Sequence, residues 1–301
     1  MNNKEKKILI IRLVIFCVLA YLPLYVMTPI LNVACGEYLY SATASGSTLV
    51  AAYVFGVFAM FAPSVAHILT RLFTKEGFKN TYLGWTFKGN ARYYVASVIV
   101  KLLEATLIMF LMWGIFMKGV SFGDAFPGGN WQPKIGTLLL QLAFSVIVFF
   151  PGFGEEWGWR GYMMPKLMEL MPKPVAVIVG GIIWGLWHAP LTVSGHNFGL
   201  DYKFYPWLGI LLMCVFCILM NAFLTLLTER TKSVYPAAFC HAINNNINVT
   251  ILLSIFAGPT ALGALADVSN FDAFWLLLPV CGITAIVSMV LLMKKTIKNN
   301  K

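Results

Sequence analysis

The sequence predicts an all-α fold: a polytopic transmembrane helical bundle of about eight spans with both termini in the cytoplasm. Composition, run length and the placement of cations each point there. Of 301 residues, 59% are hydrophobic and only 11% are charged, whereas a soluble domain carries about a quarter charged residues. A soluble chain of this length needs a solvated surface, and 22 Lys and Arg with 12 Asp and Glu cannot cover it. Lipid must cover it instead. The apolar runs are continuous and do not alternate, which excludes a transmembrane β-barrel.

A helix needs about 20 apolar residues to cross the hydrocarbon core. Such runs fall at approximately 8–34, 47–72, 93–117, 137–160, 174–194, 207–228, 233–256 and 273–293. The first reads as a retained anchor, not a signal peptide, because its apolar stretch is too long and Asn32 is wrong for a cleavage site before Cys35. No soluble domain, low-complexity tract or internal repeat interrupts the chain, so 1–301 reads as one membrane domain. With eight spans the cations separate cleanly. Both termini and the loops carrying Lys75, Lys79, Lys88, Arg92, Lys166, Lys173, Arg230 and Lys232 share one side, together with Lys294, Lys295, Lys298 and Lys301. The other side holds Lys118, Lys134 and Lys203 among several carboxylates. The basic side is cytoplasmic by the positive-inside rule.

The net charge of +10 is then explained by cations flanking the spans and meeting anionic headgroups. The stretch from Lys75 to Arg92, with Phe78, Tyr82, Trp85 and Phe87 interleaved, reads as a headgroup-level loop, and no nucleic-acid partner is expected. The lipid bilayer is the expected partner. Cys214 and Cys217 form a C-x-x-C, but inside a Leu-, Met- and Phe-rich run they read as small hydrophobes.

Ionisable side chains inside spans are costly and mark function. Lys101 and Glu104, three apart on the third span, read as a neutralised structural pair. His67 reads as a packed, hydrogen-bonded imidazole. A third group is denser. The fourth span ends in Glu155-Glu156-Trp157-Gly158-Trp159-Arg160. Arg160 lies one turn after Glu156 and pairs with it, while Glu155 points about 100° away around the axis, free for other work. The fifth span places Trp184 and His188 on one face, and the seventh does the same with His241 and Asn245. Carboxylates, histidines and an amide on three spans of a charge-poor chain imply one shared polar site. A glutamate and a histidine can hold and deprotonate a water, while a second histidine and an asparagine donate to a developing oxyanion.

These segments resemble the motifs of the CAAX-protease and bacteriocin-processing (CPBP, or Abi) family of intramembrane endopeptidases: Glu-Glu-x-x-x-Arg, then aromatic-x-x-x-His, then His-x-x-x-Asn or Asp. Glu155-Glu156-x-x-x-Arg160, Trp184-x-x-x-His188 and His241-x-x-x-Asn245 match in order, with Trp184 standing where phenylalanine is more usual. The likeness covers roughly 140–256, the expected catalytic core. It implies a membrane-associated peptide or protein substrate, a lipidated one included, with water activated by Glu155 and His188. His241 and Asn245 would stabilise the tetrahedral intermediate, and Glu156, Arg160 and Trp184 would organise the site. Bacterial members are linked to bacteriocin or peptide maturation, and with the Lys-rich ends this suggests a bacterial cell membrane and an active site facing the cytoplasm.

The family is commonly labelled metalloprotease. No His-Glu-x-x-His helix is present. His188, His241 and Glu155 are the ligand set if a divalent metal such as zinc is bound, and the metal-free reading is favoured. Two other readings use the same residues: an ion-coupled transporter relaying protons through Glu155, His188 and His241, and a catalytically silent membrane scaffold. Depth is a difficulty for a shared site. Counted at 1.5 Å per residue from the cytoplasmic span ends, His241 lies about 12 Å inside and His188 about 21 Å, with Glu155 shallower unless its helix continues past Arg160, as it is expected to do, toward Met164 before Pro165.

Overall fold

The computed structural model describes residues 2–129 and 131–294; Lys295, Lys298 and Lys301, placed above on the cytoplasmic side, lie outside the described residues. Among those described, every regular element is helical. In chain order these are α1 (Asn3–Cys35), α2 (Gly46–Ala59), α3 (Ala62–Phe73), α4 (Ala91–Phe116), α5 (Phe122–Ala125) and α6 (Trp131–Gly158). A π-helical turn (Trp159–Met163) leads into α7 (Met164–Leu170), then α8 (Lys173–Trp187), α9 (Ala189–Val193), α10 (Trp207–Thr231), α11 (Tyr235–Asn246), α12 (Val249–Phe256), α13 (Pro259–Ala264) and α14 (Asn270–Met293).

Six stretches among the described residues are long and apolar enough to cross a membrane: Asn3–Cys35, Gly46–Phe73, Ala91–Phe116, Trp131–Leu170, Trp207–Thr231 and Phe271–Met293. The chain is a multi-pass membrane bundle. The two remaining expected spans take shorter, broken forms. The run 174–194 becomes the 15-residue α8, a turn at His188, and α9. Pro190 explains the break, since it offers no N–H to continue the ladder. The run 233–256 divides at Ile247–Asn248, where Asn248 Oδ1 accepts from the Ile251 N–H at 3.2 Å and starts α12. Hydropathy sees neither interruption, because both segments stay apolar through the break.

Close helix approach builds the core. α10 is buried along most of its length and runs antiparallel to α8. A Cβ at Gly185 would sit 2.4 Å from Cys214 Cα, so only glycine allows this contact. α6 meets α11 on one side and α3 on the other. On the α3 side, a Cβ at Gly158 would fall 2.4 Å from the Pro63 carbonyl carbon. α1 is pinned to α8 by hydroxyls and an indole: Tyr21 Oη donates to the Ile183 carbonyl, Tyr25 Oη to Leu186 O at 2.7 Å, and Trp187 Nε1 to Ala20 O at 2.9 Å.

The basic end is tied by Glu76. Its carboxylate accepts from Lys166 Nζ at 2.7 Å and Tyr162 Oη at 2.9 Å, with Arg12 Nε at 3.4 Å and Arg71 Nη1 at 3.7 Å. One side chain thus joins α1, α3, the π turn and α7. His67 is packed as expected. Its Nε2 accepts from Arg71 Nε at 2.6 Å, and its Nδ1 lies 3.1 Å from the Trp157 carbonyl.

Two stability predictions follow from these contacts. Gly158→Ala should destabilise the protein by about 1–3 kcal/mol through overpacking against Pro63, read as a lowered unfolding temperature in detergent. Burial alone would raise the Glu76 carboxyl, but the Lys166 bond and charge, Tyr162 and Arg71 outweigh it and hold Glu76 below its ordinary 4.5. Its stabilisation is therefore complete above pH 4.5 and is lost as pH falls through the lower folded value. Thermal unfolding from pH 7 to pH 3 should show that acid loss in the wild type. Glu76→Gln should start lower and show a flatter acid dependence.

Candidate active site

The depth difficulty is resolved by the hairpin at the basic end. α6 does not stop near Arg160 but continues through the π turn and α7 to Leu170. Glu155 therefore lies 15 residues before the hairpin, and His188 lies 15 residues after its far side at Lys173, each roughly 22 Å along its helix. The two side chains meet at one level because the hairpin is close to symmetric about them. Trp184 Nε1 accordingly donates to Glu155 Oε2 at 2.8 Å, with Trp159 Nε1 at 3.3 Å on the same oxygen.

Glu156 organises the other half. It is fully buried, and its Oε1 accepts from Arg160 Nη1 at 2.9 Å and from His241 Nδ1 at 2.8 Å. The pairing of Glu156 with Arg160 one turn later is therefore present. Arg160 lies over the Trp184 ring, 4.0 Å from its centroid, and Trp184 meets His241 edge to face at 5.6 Å. Trp184 touches the carboxylate, the arginine and the histidine at once.

The tautomers follow from the partners. A carboxylate only accepts, so His241 Nδ1 carries a hydrogen toward Glu156 and turns Nε2 toward Glu155, 4.0 Å from Oε1. That gap is too long for a direct bond and suits a water touching both atoms. His188 Nδ1 lies 2.9 Å from the Trp184 carbonyl and donates to it, so the neutral ring keeps its lone pair on Nε2.

Glu155, Trp184, His188, His241 and Asn245 all line one cavity of about 540 Å³. Asn245 stands on the exposed rim one turn beyond His241, its Oδ1 accepting from Asn244 Nδ2 at 3.3 Å. Glu156 and Arg160 lie behind the wall and act on it through His241 and Trp184.

The cavity points away from the basic end of the bundle. From Glu155 it runs to Tyr40, His196 and Asn197, in the loops at the end of the bundle opposite the Glu76 tie. Toward the basic end, Trp159, Tyr162, Met163 and Met164 fill the space, each at most 1% exposed. The 40-residue rod of α6, the π turn and α7 plugs that side.

His196 was not marked by the sequence. It lies alone in a loop, with no helical spacing to a partner, yet it faces the same cavity and packs 4.8 Å from the Tyr40 ring. Burial pushes it down to about 4, so it is neutral near pH 7. The proposed zinc set fares less well. Among the described residues no three His, Cys, Asp or Glu side chains are grouped to hold a metal ion, and Glu155 Oε2 is already engaged by two indoles.

Residues 136–247 match the family model described as type II CAAX prenyl endopeptidase Rce1-like. The chain carries an Rce1-like region. It contains every candidate residue from Glu155 to Asn245. A curated relative, CAAX prenyl protease 2 of Methanococcus maripaludis, is 28% identical over 121 residues, covering 38% of this chain and 40% of the relative. The chain thus spans about 40% of the length of the curated relative it matches. The Rce1-like region takes in most of α6, the π turn and α7 to α11, and leaves α1 to α5 and α12 to α14 outside the likeness.

Glu156→Gln tests the organisation of the site. It weakens the charge that holds both Arg160 and His241 and leaves a buried guanidinium without a full counter-charge. The expected cost is about 3–5 kcal/mol, visible in detergent unfolding. Replacing Arg160 by Met in the same chain should recover part of it.

Proposed function

We propose that this chain is an intramembrane endopeptidase that hydrolyses a peptide bond of a membrane-associated peptide or protein, a lipidated one included. One observation carries the reading: Glu155, His188 and His241 converge on a single buried cavity although they come from three separate helices. The Rce1-like likeness supports the same class of reaction.

Glu155 Oε1 and His188 Nε2 serve as the bases that hold and deprotonate the attacking water. The hydroxide adds to the scissile carbonyl, and the negative charge forms on the carbonyl oxygen. Asn245 donates its amide N–H to that oxygen. His241 donates from Nε2 when it is the imidazolium, with Nδ1 still held by Glu156. The proton taken from water passes to the leaving amine as the intermediate collapses. Such a base contributes about 10²–10⁴-fold to the rate, and an oxyanion donor about 10²–10³-fold. Trp184, Glu156 and Arg160 position these groups and do not touch the reacting atoms.

The direction of the cavity shapes the approach of substrate. With the termini cytoplasmic, the mouth at Asn197 and Asn245 lies on the non-cytoplasmic side, and a substrate enters from that half of the bilayer. A bacterial cell membrane is the proposed location.

Cleavage in proteoliposomes tests the chemistry. Wild-type protein should cut members of a panel of lipidated and hydrophobic peptides, with or without a strong chelator. Glu155→Gln and His241→Ala should each lose at least about 10²-fold. Variants that cut as well as wild type would remove these residues from the reaction and favour a transporter or a silent scaffold. A chelator that abolishes cutting would establish a metal requirement.

Sidedness is tested separately. Asn197→Cys in intact cells should react with a membrane-impermeant maleimide, whereas labelling only after lysis would put the mouth in the cytoplasm.

A further inference from the structure

The wall of the cavity formed by α4 and α14 carries an ion pair that the proposed chemistry does not use. Lys101 Nζ donates to Glu104 Oε2 at 2.5 Å and also reaches Met220 Sδ at 2.8 Å. The Cys281 thiol donates to the same carboxylate oxygen at 3.6 Å. Lys101 is 4% exposed and Glu104 7%. Both line the cavity that holds Glu155, His188 and His241, and Lys101 is the only Lys or Arg among its described lining residues.

Two details distinguish this pair from one that only neutralises itself. Glu104 Oε1 is buried with no hydrogen-bond partner. Leaving such an acceptor unmet costs about 1–3 kcal/mol, and more when it is charged. The ammonium has three donors; one goes to Oε2 and one to a thioether, which is a weak acceptor. The wall therefore holds a buried, unmet carboxylate oxygen beside an underused ammonium.

Charge decides what fits there. The pair is neutral, so a guest with its own net charge would be buried without a counter-charge, which is unfavourable in a low-dielectric wall. A peptide group is neutral and offers one N–H and one C=O, the two functions the wall lacks. Resting on the endopeptidase reading, we propose that Lys101 and Glu104 form a main-chain subsite that clamps one peptide group of the substrate away from the scissile bond, its N–H donating to Glu104 Oε1 and its C=O accepting from Lys101 Nζ.

Binding tests this without requiring turnover. The probe is a farnesylated peptide ending Cys-Val-Ile-Met, together with versions in which each backbone N–H in turn is replaced by an ester oxygen. The receptor is full-length Glu155→Gln protein in detergent, compared with the same protein carrying Lys101→Met and Glu104→Leu. The apolar pair removes the subsite while keeping the wall filled.

The expected Kd rises at least about tenfold in the apolar variant. One ester position should also weaken binding by about that factor in the intact protein, yet have no further effect in the variant, the signature of a direct coupling. Swapping the two residues, Lys101→Glu with Glu104→Lys, keeps the ion pair. A purely structural pair would then bind as before, whereas a subsite should not. Equal Kd values across these proteins, ester penalties that persist in the apolar variant, or no binding to any of them would overturn the proposal. If binding shows the coupling while wild-type protein cuts nothing, the subsite stands and the endopeptidase reading falls.

Discussion

The buried carboxylate of Glu156 is the constraint on which the site depends. It holds Arg160 from its own helix and His241 from α11 on a single oxygen, where exposure is zero. A charge in such a place persists only when opposite charge and donors surround it. That requirement fixes how α6 and α11 approach each other and how the His241 ring is turned. The adjacent Glu155, about 100° around the helix, then faces the cavity. Adjacent acids in sequence thus take different duties because a helix cannot point both the same way.

Trp184 turns this local pairing into a three-helix arrangement. Its N–H meets Glu155, its face carries Arg160 and its edge meets His241. Phenylalanine, more usual at the matching position of the resembling family, has the face and the edge but no N–H. Close packing of α8 on α10 at Gly185 and of α6 on α3 at Gly158 holds the helices at the separation these contacts need. Apolar packing sets the distances at which the polar groups meet.

Much of this was legible in the sequence, for identifiable reasons. A shortage of charge and the long apolar runs announce membrane helices, and i to i+4 spacing announces which side chains share a face, as with Glu156 and Arg160. Spacing also marked Lys101 with Glu104 as a pair, which is what forms. The features that escaped depend on geometry between helices. The breaks after Trp187 and at Ile247 leave hydropathy unchanged. The continuation of the fourth span past Arg160 was expected as far as Met164, but its π turn and its extension through Pro165 to Leu170 are signalled by no residue pattern. The direction of the cavity depends on which end the large side chains of that turn fill. His196 had no partner in sequence, and the unmet oxygen of Glu104 is visible only once the neighbouring helices are in place.

The π turn has one more consequence. A π-helical turn takes up more residues than an α-helical one, so it rotates everything after it relative to everything before it. Glu155 and Glu156 look into the bundle interior, while Tyr162 and Lys166 look toward Glu76 on another flank. The segment Trp159–Met163 therefore works as a phase shifter between two faces of one rod. Loss of a single residue there would leave the hydropathy and both sets of functional side chains intact, yet turn the later set by about 100° and uncouple the tie at the basic end from the chemistry above it. Length, more than residue identity, is what this short stretch has to keep.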